Sequence, residues 1–266
     1  MSDSQTDATE QMTSRNILGS LLDSALHEMN RERSGLLLSG LSAGLDIGFG
    51  PLMMAVILTL SPGTFGDLTT ELLLASVYSI GFMFVILGRS ELFTEHTTLA
   101  VIPVLDRQAS IGQLGRLWGL VYVGNLVGGL LFTLLVILLM PELGVVAPES
   151  FETIALKLVD HDLPWLFIGG VFAGWLMGLL AWLVTAAQDT TSRILLVLIV
   201  TGTIGLLHLP HSIAGNVEVL FGLFVSPAIT LSDYVGFLVL ATVGNAFGGA
   251  VFVALLKYGH VVRGAN

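Results

Sequence analysis

Six runs of about twenty apolar residues follow one another along the chain, with polar gaps of only about 5 to 20 residues, and this succession restricts the fold more than any other feature. They are Gly35–Leu60, Leu68–Gly88, Trp118–Met140, Pro164–Ala186, Ile194–Leu207 continued by Asn216–Val225, and Leu231–Leu256. As helices they can cross the roughly 30 Å of hydrocarbon in a bilayer, where only helices and closed barrels satisfy their own backbone. A separate soluble domain needs at least about 50 residues, more than any gap offers. Charged residues make up 11% of the chain, against roughly a quarter in soluble proteins. The expected fold is therefore an all-α membrane protein with six transmembrane helices. Its channel domain covers residues 33–260, after an N-terminal segment over 1–32 and before a cytoplasmic tail over 261–266. The lipid bilayer surrounds it, and no nucleic-acid partner is expected.

Residues 1–13 are polar and read as disordered. Beyond them Ile17, Leu18, Leu21, Leu22 and Ala25 share one helical face, which predicts a helix lying on the membrane surface. With the N-terminus inside, Arg15, Arg31, Arg33, Arg107, Arg116, Arg193, Lys257 and Arg263 are cytoplasmic and only Lys157 lies outside. The positive-inside rule thus sets both termini in the cytoplasm, in a cell (inner or plasma) membrane. The first apolar run is too long and starts too late for a cleavable signal, so none is expected. Cysteine is absent, which leaves the redox compartment open. The net charge of −10 reads either as adaptation to a salty cytoplasm or as acidity gathered in an outer loop, PELGVVAPESFETIALKLVDHD, and an acidic tail.

Two runs are interrupted. The second halts at GRSELFTEHTT and resumes as LAVIPVL; the fifth halts at GLLHLPHSIAGN, Gly205 to Asn216. These breaks occupy matching places in a duplicated chain. GNLVGGLLF at 124–132 and GNAFGGAVF at 244–252 share G-N-x-x-G-G-x-x-F, and Gly40, Ala43, Gly44 and Gly48 have the spacing of Gly170, Ala173, Gly174 and Gly178. Three spans per copy is an odd number, so the second copy enters the membrane from the opposite side: an inverted 3+3 repeat with broken helices 2 and 5, the usual sequence pointer to a permeation site.

Unwound backbone at membrane depth is tolerated only where protein buries it or it lines a cavity. Helices restarting near Leu99 and near Asn216 would aim unpaired N–H groups and positive dipole ends at the midplane, a setting for an anion. His211 sits at the second break, where an imidazole couples its protonation to occupancy by an anion. A weak-acid anion that takes up a proton crosses apolar constrictions as the neutral acid and avoids carrying a bare charge through hydrocarbon. Thr94, which closes ELFT in the first break, offers a hydroxyl to the same solute. His208 reads either as pore lining or as a structural hydrogen-bonding residue. Tyr78 and Phe82, four residues apart before the first break, and Phe93 and Ile204 read as constriction residues or as core. Glu91 is expected to cap backbone N–H groups of the loop, and Arg89 to pair with Glu91 or Glu95 or to face a vestibule. Asp46 and Glu218 read as hydrogen-bonding groups buried in an oligomer or as proton relays.

Together the six spans, SELFT in the second-span break, GNLVGG in the third span and HSIAGN in the fifth resemble the formate/nitrite transporter family. The resemblance covers about residues 30 to 260. It implies an aquaporin-like fold, a homopentamer with one pore per protomer, and small monovalent anions such as formate, nitrite or hydrosulfide as substrates. It also implies that His211 is the family's central histidine, that Thr94 is its loop threonine, and that Leu92 and Phe93 form the apolar slit beside that threonine. Asn216 stands one residue past the place of the family's asparagine, which Gly215 occupies here, and is expected to bind the substrate with His211 and Thr94. GRSELFTEHT resembles a less characterised branch of inner-membrane proteins in that family.

The expected function is a membrane channel or proton-coupled carrier for small monovalent anions, with no enzymatic activity and no cofactor. An aquaporin-like pore for a neutral small solute would use the same hourglass without needing His211 to titrate. An intramembrane metalloenzyme would need His208, His211 and Glu218 to converge on a metal; HLPH lacks the HExxH spacing of base and ligands, so no metal site is expected.

Overall fold

The protein is described by a computed structural model over residues 12–264. The polar tail expected to be disordered lies outside the described residues up to position 11, as do the last two residues of the C-terminal tail. Thr13, included in that tail, is instead ordered: its hydroxyl caps the first helix by accepting from the Asn16 N–H at 3.2 Å.

Every regular element among the described residues is helical. In order they are α1 (Ser14–Asn30), α2 (Arg33–Ile47), α3 (Phe49–Leu60), α4 (Asp67–Gly88), α5 (Phe93–Leu99), α6 (Val101–Leu105), α7 (Ile111–Glu142), α8 (Pro148–Val159), α9 (Leu163–Ala186), α10 (Thr190–Leu206), α11 (Ala214–Val225) and α12 (Leu231–Phe247), then a π-helical segment over Gly248–Leu255 and α13 (Leu256–Arg263). Five continuous stretches are long and apolar enough to cross a membrane: Arg33–Leu60, Asp67–Gly88, Ile111–Glu142, Leu163–Ala186 and Leu231–Arg263. The remaining expected run is divided between α10 and α11, each short of that length. The chain is a multi-pass membrane protein.

Local chemistry sets where the long helices begin. Ser110 and Gln113 form a capping box at the start of α7, and Thr230 and Asp233 form another at α12. Asp189 caps α10 through the Ser192 N–H at 2.9 Å. On α1, Ile17, Leu18, Leu21 and Ala25 are buried together against Leu99, Ile102, Ala181 and Trp182, so the expected apolar face is present and is covered by protein.

The frame rests on two close helix pairs, α2 with α7 and α9 with α12. A side chain at Gly44 would run into the Asn125 carbonyl, and one at Gly174 into the Asn245 carbonyl. Small residues at these crossings let the backbones approach, which is how helices associate where no hydrophobic drive acts between them.

Two sequence expectations need correction. The acidic segment between the third and fourth runs holds the amphipathic helix α8, not a simple loop: Phe151, Ile154, Ala155 and Leu158 are buried, mainly against α11 and α3. Their i, i+3, i+4, i+7 spacing was the available signal, overshadowed by the surrounding charge. The G-N-x-x-G-G-x-x-F repeat also fails at its last position. A side chain at Gly48 would meet Phe132, but one at the matching Gly178 would meet Val253 and Thr98. The π-helical turn adds a residue to the second copy, so Val253 faces inward and Phe252 stacks outward on Trp175 at 4.8 Å.

Candidate functional site

Helix α4 ends at Gly88 because Arg89 takes a left-handed conformation, φ 56°, and the chain is helical again from Phe93. The gap is thus Arg89–Leu92, and the expected restart near Leu99 is placed too late: TEHTT is helical. In the later break α10 ends at Leu206, His208 takes φ 49°, and α11 starts at Ala214.

Each gap is closed by one buried asparagine from a neighbouring helix. Asn125 of α7 donates to the carbonyls of Gly40 at 2.8 Å and Glu91 at 2.9 Å, and accepts from the Phe93 N–H at 2.8 Å. Asn245 of α12 donates to Gly170 at 2.8 Å and Pro210 at 2.9 Å, and accepts from the Ser212 N–H at 2.8 Å. An amide side chain supplies both donors and an acceptor, the set that a broken helix leaves unmatched. The sequence reading used these residues only as repeat markers; their place in the duplicated G-N motif was the missed signal.

The gaps bring Thr94 and His211 together. His211 Nε2 lies 2.8 Å from Thr94 Oγ1, with the two residues 1% and 0% exposed. Nδ1 accepts from the Ala214 N–H at 3.1 Å, so the neutral ring carries its proton on Nε2 and donates it to Thr94. The Thr94 hydroxyl proton is then free to turn toward a solute. Phe82 meets the imidazole edge-on at 5.0 Å, and Tyr78 lies 5.2 Å from Phe82. Four predicted site residues thus form one sequence through the interior: Tyr78, Phe82, His211, Thr94.

The sequence model described as formate/nitrite transporter matches residues 15–259. The chain belongs to the formate/nitrite transporter family. Among curated members it is 30% identical over 237 residues to "Inner membrane protein YfdC" of Escherichia coli (strain K12), covering 88% of this chain and 74% of that one. Among solved structures it resembles one titled "FNT family ion channel" with a TM-score of 0.81 at 24% identity, over 92% of this chain and 98% of the other. It also resembles "Pentameric formate channel with formate bound" with a TM-score of 0.77 at 22% identity, over 86% and 98%. At these identities the structures establish the shared fold.

The other predicted residues of this formate/nitrite transporter family member are distributed around that centre. Leu92 and Phe93 are buried next to Thr94 in sequence, with the Phe93 ring packed on Tyr122 at 4.9 Å and Trp118 at 5.8 Å. Asn216 is buried but accepts from the Tyr234 hydroxyl at 2.7 Å, and its NH2 lies against Gly129; none of its bonds reaches Thr94 or His211. His208 lies 3.2 Å from Glu71 Oε2, beside a cavity that Tyr78, Ile204, Lys157 and Glu218 also line. No three His, Cys, Asp or Glu side chains among the described residues converge as a metal site, so His208, His211 and Glu218 do not form one.

Glu91 does not cap the loop, and Arg89 pairs with neither acid. Asn125 already closes the backbone, which leaves the Glu91 carboxylate to accept from Arg31 at 2.8 Å and to pair with His96, while Arg89 is exposed. Arg31 also binds Glu28 at 2.6 Å. Burial pushes the Glu28 carboxyl above the usual carboxylate range, against the opposing effect of the Arg31 bond. The end of α1 is in this way tied to the gap that precedes Thr94.

Proposed function

We propose that the protein is a membrane channel or proton-coupled carrier for small monovalent anions of weak acids, formate and nitrite being the first candidates, with His211 coupling proton and anion. The carrying observation is the buried 2.8 Å contact of Thr94 with His211, where the two helix gaps meet. The Thr94 hydroxyl, and the Ala214 N–H once the imidazole is protonated, offer donors to an anion. An imidazolium at His211 has to give up the Ala214 hydrogen bond, worth about 1 kcal/mol, and a seated anion offsets that loss. Proton and anion therefore reside at the centre together, and the solute passes the apolar necks on either side as the neutral acid. Tyr78, Phe82 and Ile204 form one neck; Leu92 and Phe93 form the other.

The matched asparagine caps and glycine crossings support an aquaporin-like fold of six spans, an inverted 3+3 repeat whose second and fifth helices are broken. The distribution of Arg and Lys supports cytoplasmic termini in an inner or plasma membrane, with the α8 end outside. We read the protein as acting by transport alone. Uptake of formate and nitrite into proteoliposomes is expected to exceed that of empty liposomes. Swelling with glycerol but no anion uptake would instead establish the alternative pore for neutral solutes.

A homopentamer with one pore per protomer is proposed because Asp46, in the middle of the first span, is only partly buried and has Ser42 as its hydrogen-bond donor, at 3.3 Å. An acid facing lipid is costly, and a neighbouring protomer would cover it. A solved family relative is titled a pentameric channel. Native mass spectrometry in mild detergent should give five copies; a stable monomer as the sole species would refute the assembly.

A further inference from the structure

The cavity beside the first neck contains an acid that the transport reading has not used. Glu218 on α11 is 5% exposed and, among the described residues, has neither a hydrogen bond nor an ion pair. The nearby charges are engaged elsewhere: Lys157 Nζ holds Glu71 Oε1 at 2.5 Å, and His208 lies 3.2 Å from the other oxygen of the same carboxylate. A carboxyl removed from water without a bonded counter-charge is held more cheaply as the acid than as the anion.

His211 is poorly placed to draw protons from solution by itself. It is 1% exposed, both ring nitrogens are bonded, and Phe82 and Tyr78 stand between it and the cavity. Tyr78 and Ile204 of the neck line the same cavity as Glu218.

Resting on the transport reading above, we propose that Glu218 is the outer proton donor for the transported anion. The anion enters the cavity that Lys157 lines. Glu218 transfers its proton to an oxygen of the anion, giving the carboxylate and the neutral acid. The acid passes Tyr78 and Phe82 toward His211 and Thr94, and a proton from the outer solution restores Glu218. One proton enters the cycle for each anion loaded. The groups facing this step are Lys157 of α8, Glu71 and Tyr78 of α4, and His208 between α10 and α11, with His161 in electrostatic reach of His208. Of the other helices packed on α11, α3 brings only Met54 to the cavity and α7 and α12 bring no residue.

The sided nature of the proposal gives its test. Radiolabelled formate uptake is measured in right-side-out and inside-out membrane vesicles across about pH 5 to 8. Right-side-out vesicles with the natural protein should take up more formate as the outside is acidified. Glu218→Gln should lower formate uptake about tenfold or more in both orientations and abolish the rise with acid on the outer face, while the response to pH on the cytoplasmic face stays that of the natural protein. Glu218→Asp, which retains an acid one methylene shorter, should restore the rise with a displaced midpoint. A Gln variant that matches the natural protein in both orientations, or that keeps the rise with acid on the outer face, overturns the proposal. If the Gln protein does not assemble, an Asp variant with an unmoved midpoint overturns it instead. Absence of formate uptake by the natural protein in either orientation would refute the transport reading, which is a separate result.

Discussion

Asn245→Leu is expected to leave little folded protein in the membrane. Leucine has the same branching and the same number of side-chain heavy atoms, so the chief damage is the loss of hydrogen bonds. The Ser212 N–H and the carbonyls of Gly170 and Pro210 lose the bonds at 2.8, 2.8 and 2.9 Å that now satisfy them. Each buried group left unmatched costs about 1–3 kcal/mol, and three together consume a large part of a typical stability of about 5–15 kcal/mol. Asn245→Asp should be nearly as harmful, since a carboxylate accepts but cannot donate to two carbonyls. Asn125→Leu should behave alike, because it removes the matching three bonds. Thermal unfolding in detergent is the check: a melting temperature equal to that of the natural protein would show that water or a backbone shift replaces the amide.

The parts of this molecule that were legible in its sequence are those written as patterns. Apolar run length gave five continuous spans, and the glycines that read as repeat markers, Gly44 and Gly174 among them, sit at the close helix pairs. The Thr94–His211 meeting followed from two breaks at matching places. What escaped was whatever depends on a partner distant in sequence. Glu91 looked like a local cap, but Asn125 reaches the backbone first, and the carboxylate turns to Arg31, sixty residues earlier. The residues of α8 looked like an acidic loop because their apolar stripe is short and acquires meaning only against α11. Asn216 was expected at the centre as the displaced counterpart of the family's asparagine, yet on α11 its side chain bonds Tyr234. Val253 replaced Phe252 because a π-helical turn shifts register without any mark in the repeat.

His211→Asn is expected to preserve the fold while abolishing most transport. The shorter amide can still accept from the Ala214 N–H, now met at 3.1 Å, so α11 keeps its start. It does not take up a proton, and it is too short to maintain the 2.8 Å contact with Thr94. A neutral acid that passes Phe82 then finds no base with which to pause as an ion pair between the two necks. Formate flux should fall by about a hundredfold or more, a positioned proton-exchanging group contributing about 10²–10⁴-fold. Assembly and melting temperature should stay close to those of the natural protein. Flux equal to that of the natural protein would make His211 a packing residue.

The central claim is that anion and proton cross together, and the most direct test follows both at once in proteoliposomes of the natural protein. Formate entry is recorded with a radiolabel and lumenal pH with a trapped dye, at zero potential and at an imposed potential of about 100 mV, which would change the energy of one moving charge by about 2.3 kcal/mol. One proton should enter with each formate, at a rate indifferent to the potential. Formate entry that follows the potential with no accompanying proton would contradict it.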